Sequence, residues 1–202
     1  MADKLSLFNG ALVEYLGERP LVSLNDNRAA LRVLNAVYDD GFVRSILKEH
    51  PWDFALRDTK IDYNPSYSSS FTDGEYIFTV PSDLVRINAV STSYSFYDSI
   101  DYTITGDKLI AAAEELYIRY ISDADSYGGD LSLWPQYAID YAKVLLASKA
   151  CVAINGDFAL AKDLGNRARR ALPKAESLDA ANRPMRKKRY SSWVRSRGGD
   201  YS

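Results

Sequence analysis

The chain has 202 residues, of which 47% are hydrophobic and 26% are charged, a length and composition typical of one globular domain. Its single cysteine excludes a disulfide within the chain, and no apolar run approaches the roughly 18 residues of a membrane span. The N-terminus lacks the basic segment and apolar run of a secretory signal, so we expect folding in a reducing cytosol without membrane insertion.

Charge is divided unevenly along the chain. Residues 183–202 hold seven basic side chains and one acid, out of 25 Lys+Arg and 27 Asp+Glu in total. This leaves 18 basic and 26 acidic side chains in residues 1–182, so the body has a net charge near −8 and the tail one near +6. A short basic segment that contains Tyr190 and Trp193 is too small to form a core, which predicts an arm that binds a partner.

Apolar periodicity predicts two helices in the first quarter of the chain. The first covers residues 6–17, where Ser6 is a candidate N-cap and Gly17 a candidate stop. The second begins near residue 26 and ends before Pro51, because proline disfavours the helical conformation of the residue that precedes it. Gly41 lies inside this second helix and is its weak point.

Alternating apolar residues predict a small antiparallel sheet in the middle of the chain. The stretch 62–74 is rich in serine and predicts a loop, and Gly106-Asp107 predicts the turn of a hairpin. The predicted strands, including both halves of that hairpin, lie within residues 75–81, 84–91, 93–97, 101–112 and 116–121.

Two further helices are predicted after the acidic loop at residues 121–133. Trp134-Pro135 opens the third helix, and Asn155-Gly156 ends it. Asp157 is a candidate cap for the fourth helix, and Pro173 is expected to kink or end it, because proline lacks the N–H that the helix uses.

These elements predict a mainly α protein with inserted β structure. We expect a bundle of about four helices from residues 1–55 and 133–182, with a small antiparallel β insertion at 56–132 between the second and third helices. Residues 183–202 are expected to form an extended basic C-terminal arm.

Five short strings occur in order along residues 1–155. They are Tyr15-Leu16-Gly17-Glu18, ILKEHPWDFA at 46–55, VPSDLVRI at 80–87, YIRYI at 117–121 followed by Asp123, and Trp134-Pro135. In this order they resemble the head-to-tail adaptor family of short-tailed bacteriophages, also called tail tubular protein A or gatekeeper. The Ser-rich loop at 67–71 and the details of the arm depart from the family's pattern.

The resemblance implies a virion structural protein and not an enzyme. Such adaptors form a ring, with twelve copies expected, between the portal protein and the tail nozzle protein. The ring completes the channel for double-stranded DNA, helps to retain the packaged genome and passes it at ejection. The resemblance implies no cofactor and no metal, and it places the protein in the virion, or in the host cytoplasm during assembly.

The arm is the candidate portal-binding site. Aromatic and arginine side chains dominate the energetics of protein interfaces, and basic side chains suit an acidic partner surface. The candidate residues are Arg183, Arg186, Lys187, Lys188, Arg189, Tyr190, Trp193, Arg195 and Arg197. The other interpretations of the arm are a nucleic-acid tether and an inert, solvated terminus.

The β insertion is expected to receive the tail nozzle. Nine of the fifteen tyrosines lie between residues 63 and 127, and tyrosine is common at interfaces. The candidate tail-binding residues lie in or beside loops: Tyr63, Tyr67, Phe71, Tyr94, Phe96 and Tyr97. Other aromatic residues are expected to be core or half-buried sheet residues: Tyr76, Phe78, Tyr102 and Tyr117.

Two rival functions stay open at this point. The first is a DNA-binding accessory protein that uses the basic arm, and the second is a cell-wall hydrolase, which needs two carboxylates across a cleft. The sequence contains no catalytic or phosphate-binding string of the usual kinds.

Cys151 lies on an apolar helical face and is expected to be a buried thiol. Trp52, Phe54 and Trp134 are expected to be core residues. A calcium site at Asp123, Asp125 and Asp130 is the weakest alternative.

Overall fold

A computed structural model describes residues 2–65 and 75–182 and has an α+β fold with five α-helices and two three-stranded sheets. The helices are α1 (Lys4–Gly10), α2 (Ala29–Asp39), α3 (Phe42–Glu49), α4 (Gln136–Asn155) and α5 (Phe158–Ala181). The strands are β1 (Leu56–Asp62), β2 (Tyr76–Thr79), β3 (Leu84–Ser91), β4 (Tyr102–Thr105), β5 (Lys108–Ala111) and β6 (Glu115–Ser122).

The predicted bundle of about four helices with a small β insertion is wrong. The strands form two antiparallel sheets, with the orders β1-β6-β3 and β2-β5-β4. Both sheets contribute to a separate hydrophobic core of seven buried residues: Phe78, Val90, Leu109, Ala111, Leu116, Ile118 and Tyr120. The sequence LRDTKID of β1 is mostly polar, so periodicity alone did not identify it as the strand that completes the first sheet.

The chain enters α1 through a reciprocal cap. The Asp3 carboxylate accepts from the Ser6 N–H at 2.7 Å, and the Asp3 N–H donates to the Ser6 hydroxyl at 2.8 Å. Asp3 is therefore the N-cap that the sequence placed at Ser6. After α1 the chain continues as a π-helical segment, Ala11–Leu16. This segment ends at Gly17, which has a left-handed φ of 67°.

The second predicted helix is two helices, because the chain turns at Gly41. The φ of Gly41 is 79°, a left-handed conformation that glycine adopts without the steric cost of a side chain. The predicted weak point is thus a break between α2 and α3, and the two helices bury Leu34 and Ile46 in one core.

The predicted strand at residues 93–97 is also wrong, since this segment is a turn. By contrast, the hairpin is confirmed: β4 and β5 pair in register around Gly106-Asp107. Pro173 does not end the last helix, because α5 continues through it to Ala181. The packing of α5 against α4 outweighs the one backbone hydrogen bond that proline removes.

The helical core surrounds α4, which packs against α5 and against α1 and α2. Trp52 and Trp134 are buried in it as predicted, and their indole N–H groups donate to the carbonyls of Ile46 and Gly128 at 2.9 and 3.0 Å. Phe54 packs against this core, and Cys151 is buried, with burial raising the pKa of its thiol.

Strand β6 belongs to both cores. Leu116, Ile118 and Tyr120 lie in the core between the sheets, whereas Ile121 lies in the helical core. The helical region and the β region therefore meet along β6, which is hydrogen-bonded to β1 on one edge and to β3 on the other.

Candidate interaction surface

The outer face of the β1-β6-β3 sheet carries the candidate site. Side chains alternate along a strand, so Tyr117 and Arg119 point away from the core that holds Leu116, Ile118 and Tyr120. Near Ile121 the helical core covers this face. Near Tyr117 the turn at residues 92–98 lies against this face, and we call this part, with Tyr94, Phe96, Tyr117 and Arg119, the aromatic face.

A forked ion pair fixes the centre of the aromatic face. Asp58 of β1 lies opposite Arg119 of β6, and the Arg119 Nε and Nη2 donate to the two carboxylate oxygens at 2.7 and 2.6 Å. The hydrogen-bonded carboxylate raises the pKa of Arg119. Both donors of the fork are satisfied, so the guanidinium plane is held in one orientation against the sheet.

The turn at residues 92–98 lays aromatic rings over this ion pair. Phe96 has a left-handed φ of 52°, and its ring lies 4.4 Å from the Arg119 guanidinium carbon, a cation–π arrangement. Tyr94 contacts the rings of Phe96 and Tyr117 at centroid distances of 6.4 and 6.1 Å. A left-handed non-glycine residue stores strain, which here places an aromatic ring at a surface.

Three of the six predicted tail-binding residues lie on the aromatic face. They are Tyr94 and Tyr97, which are 68% and 64% exposed, and Phe96, which is half-buried. Tyr63 lies in a different ring pair, with Tyr76 at 5.1 Å. Tyr67 and Phe71 lie outside the residues that the structure describes, as do all nine predicted portal-binding residues of the arm.

Sequence reasoning missed the polar half of the aromatic face. Asp58 and Arg119 are 61 residues apart, and only the strand register brings them together. The aromatic residues expected in or beside the core have varied positions: Phe78 is buried, Tyr76 and Tyr117 are half-buried, and Tyr102 is 40% exposed.

A second polar cluster joins the strands behind the aromatic face. The Asp83 carboxylate accepts from Arg57 at 2.8 Å, from the Tyr120 hydroxyl at 3.2 Å and from Ser122 at 2.5 Å. Burial acts to raise the pKa of Asp83, but the donors Ser122 and Arg57 outweigh it and lower the pKa below its ordinary value. Burial and the Asp83 charge raise the pKa of Tyr120 to about 12. The cluster therefore fastens β1, β3 and β6 to one another.

The last turns of α5, from which the arm departs, are fixed by a fully buried carboxylate. Asp179 accepts from the Tyr137 hydroxyl at 2.7 Å and from the Asp53 N–H at 3.2 Å, and it lies 3.3 Å from His50 Nε2. Burial and the hydrogen bond to Asp179 raise the pKa of Tyr137. The end of α5 is thus held against the start of the β region, and no local sequence pattern indicates this role of Asp179.

A groove lies between α4 and α5. It has a volume of about 520 Å³ and is lined by tyrosines and small apolar side chains, including Tyr137, Tyr141 and Ala175. Within residues 2–65 and 75–182, no group of three or more His, Cys, Asp or Glu side chains has the arrangement of a metal site. No helix in this part of the chain has the length and apolar character of a membrane span.

No protein-family model matches this sequence, and no match was found among curated proteins. The resemblance to the head-to-tail adaptors therefore rests on the five strings quoted above. Those strings occupy defined positions in the fold: the end of the π-helical segment, the α3–β1 junction, the start of β3, strand β6 and the start of α4.

Proposed function

We propose that this chain is a virion structural protein that forms a ring adaptor between the portal vertex and the tail nozzle of a short-tailed bacteriophage. In this function the ring completes the DNA channel, helps to retain the packaged genome and passes the genome at ejection. The chain acts by assembly and catalyses no reaction. The aromatic face receives the nozzle protein, and the basic arm binds the portal.

The observation that carries this proposal is the aromatic face. Tyr94 and Tyr97 are exposed on a sheet whose own core does not contain them. Exposed aromatic side chains on a rigid support lose little conformational entropy on binding and bury a large area, which is typical of a protein-docking surface. Arg119 adds a fixed cation at its centre, and arginine is enriched with tyrosine at interface hot spots.

The anchoring of α5 supports the role proposed for the arm. Asp179 fixes the last turns of the helix only a few residues before Arg183. A tether with a fixed root restricts the region that its tip can search and raises the effective concentration of the tip near a partner. Ordering the arm on the portal costs entropy, which suits a contact that forms only when the portal is present.

The charge of the body supports passage of DNA. Residues 1–182 have a net charge near −8, and an acidic channel wall does not bind phosphates. A basic wall would form contacts with DNA, each of which would add salt-dependent resistance to movement. The basic arm is then suited to an acidic protein surface.

The first test is co-sedimentation with the portal ring encoded in the same genome. We expect the full chain to add a ring of matching symmetry, seen by electron microscopy, and a chain that ends at Asn182 not to bind. If neither form binds the portal and the full chain shifts DNA at physiological salt, the arm is a nucleic-acid tether and the proposed function is wrong. A clearing band on peptidoglycan, lost on changing one Asp or Glu, would instead establish the hydrolase.

The nozzle contact is tested separately. Tyr94→Ala with Tyr97→Ala should weaken binding of the nozzle protein to the assembled ring by about tenfold or more, because truncated hot-spot residues typically cost above 1 kcal/mol each. Tyr102→Ala is the matched control, since Tyr102 is 40% exposed and lies on β4 in the other sheet. Equal loss in both variants would refute the assignment of this contact to the aromatic face.

A further inference from the structure

The exposed side of α5 carries more bases than acids. Between residues 162 and 174 it has one exposed acid, Asp163, and five exposed bases: Lys162, Arg167, Arg169, Arg170 and Lys174. Asp163 pairs with Arg167 at 2.8 Å, and within residues 2–65 and 75–182 the other four bases form no ion pair. Four cations on one helix therefore have no internal partner in a body whose net charge is near −8.

Three of the unpaired bases lie on one side of α5, away from the groove between α4 and α5. An α-helix turns by about 100° per residue, so Arg169 lies about 20° and Arg170 about 80° from Lys162 around the helix axis. The opposite side of α5 is buried in the helical core through Leu164, Ala168 and Ala175. We call Lys162, Arg169 and Arg170 the basic stripe, which extends about 12 Å along the helix.

The acids before and after the basic stripe are engaged with other groups. Asp157, which caps α5, accepts from the Leu160 N–H at 2.9 Å. Glu176, the next acid after the stripe, lies 3.6 Å from His50 Nδ1. Neither carboxylate forms an ion pair with the stripe, so the stripe keeps its positive charge at the surface.

The charge pattern of α5 does not help the isolated helix to form. Arg170 has a like charge three residues before it, Arg167, and another four residues after it, Lys174. Side chains three or four positions apart are neighbours on a helix, and like charges at this spacing destabilise it. An anionic partner would relieve this repulsion, whereas folding of the chain alone does not.

The composition of the basic stripe favours phosphate groups over an acidic protein surface. Residues 162–174 include no aromatic side chain, whereas aromatic anchors dominate the energetics of protein interfaces. Guanidinium groups bind phosphate oxygens through two parallel N–H donors. Double-stranded DNA carries one negative charge per about 1.7 Å of its axis, so a stripe of about 12 Å faces several phosphates at once. The arm differs in this respect, because it contains Tyr190 and Trp193.

We propose that the basic stripe of α5 binds the phosphate backbone of double-stranded DNA without reading its sequence. Because the rest of residues 1–182 is acidic and repels phosphates, the stripe also determines which side of the body faces the DNA. Binding by one copy is weak at physiological salt, where non-specific dissociation constants are about 10⁻⁴ to 10⁻⁶ M. The inference goes beyond the proposed function, which assigns DNA binding to no residue, and it concerns the free chain.

The test is binding of the full chain to a fluorescent DNA duplex of about 30 base pairs, followed by anisotropy from about 0.05 to about 0.2 M salt. Lys162→Gln, Arg169→Gln and Arg170→Gln together remove the stripe. The plot of log affinity against log salt concentration should become less steep by about 2–3, because each phosphate contact contributes about 0.9 to its slope. At about 0.05 M salt the affinity should fall at least about tenfold.

Two variants with the same change in net charge serve as controls. The first is Arg19→Gln with Arg32→Gln and Lys48→Gln, three exposed bases outside α5, and it should change the slope by less than about 1. The second is Arg186→Gln with Lys187→Gln and Lys188→Gln, which measures the contribution of the arm.

Thermal unfolding checks that the stripe variant is folded, since its substituted side chains are exposed. If the triple variant does not fold, each single substitution in the stripe should still lower the slope by about 0.9, and any one that folds is sufficient for the test.

Three outcomes would overturn the inference. An unchanged slope in the folded stripe variant would show that α5 does not contact DNA, and if only the arm variant changed the slope, the arm would be the nucleic-acid contact. An equal change in the stripe variant and the first control would show a general effect of net charge. If the stripe variant bound DNA normally but lost portal binding, the stripe would be a contact for an acidic protein. The DNA assay contains no portal, so its result is independent of the ring-adaptor function.

Discussion

The helical region and the β region of this molecule are stabilised in different ways. The helical core contains 28 of the buried apolar residues described, centred on α4, whereas the core between the sheets contains seven. The β region is also stabilised by ion pairs and hydrogen bonds between strands. Asp83, at the start of β3, bonds to side chains of β1 and β6, and Asp58 pairs with Arg119. The region that presents the aromatic face therefore depends on oriented polar contacts, which also fix the orientation of the Arg119 side chain.

The largest effect is expected from the helical core. Trp52→Ala should lower the free energy of unfolding by about 3–5 kcal/mol, because the indole is fully buried and its N–H bonds to Ile46. Urea unfolding followed by circular dichroism measures the change. Trp193→Ala in the arm is the matched control and should leave the melting temperature nearly unchanged. A large loss of stability in that control would mean that Trp193 packs into the fold. Trp193 would then not be available to bind the portal.

The next effect should be confined to the β region. Leu109→Ala removes a fully buried side chain from the small core and should cost about 2–4 kcal/mol. Hydrogen exchange should show lost protection in β2, β5 and β6 while amides of α4 keep theirs, since small cores open locally. Leu164→Ala on α5 is the matched change in the helical core. Equal loss of protection across the whole chain in both variants would show that the two cores unfold as one unit.

A smaller effect is expected at the polar fastening of the sheets. Asp83→Asn should cost about 1–2 kcal/mol at neutral pH, because Arg57, Tyr120 and Ser122 lose a charged acceptor. The folded pKa of Asp83 is lowered, so its contribution to stability is present above the ordinary value of about 3.9 and is lost as the pH falls through the lowered value.

Urea unfolding at neutral and acid pH measures this linkage. The difference in stability between wild type and Asp83→Asn should shrink as the pH falls below about 4, because the wild-type carboxylate is then protonated. Asp101→Asn is a control at an exposed carboxylate. A difference between wild type and Asp83→Asn that stays constant across this range would show that the charge of Asp83 is not what fastens the strands.

The smallest effect on stability belongs to the aromatic face. Tyr94→Ala should change the free energy of unfolding by less than about 0.5 kcal/mol, because Tyr94 is 68% exposed and packs at its edge against the rings of Phe96 and Tyr117. Thermal unfolding measures it. A loss near that of Leu109→Ala would place Tyr94 among the residues that hold the β region together and would remove the main support for an interaction surface.

Elements with local signals could be predicted from the sequence. Asp157 caps α5 as expected, and Gly106-Asp107 makes the hairpin turn, because a cap and a two-residue turn depend on a few neighbouring residues. Trp52, Trp134 and Cys151 are buried as predicted, since apolar periodicity identifies the inner side of a helix.

Features set by distant parts of the chain could not be predicted. The second sheet depends on which strands pair, and β1 has a polar sequence because its outer side chains pair with β6. The Asp58–Arg119 fork depends on a register across 61 residues. Pro173 does not end α5, because packing against α4, which local sequence does not record, outweighs one lost hydrogen bond. The Asp179 cluster joins residues 126 apart and has no local pattern.

Strand β6 gives the molecule a mechanical property. It carries Arg119 on the aromatic face and, two residues later, Ile121 in the helical core, with β1 and β3 hydrogen-bonded along its two edges. A force on Arg119 along the strand direction is therefore transmitted through β6 without crossing a loop. It acts in shear on the hydrogen bonds that join β6 to β1 and to β3. A force applied at the aromatic face is therefore transmitted to the helical region, and we expect the two regions to move together under load.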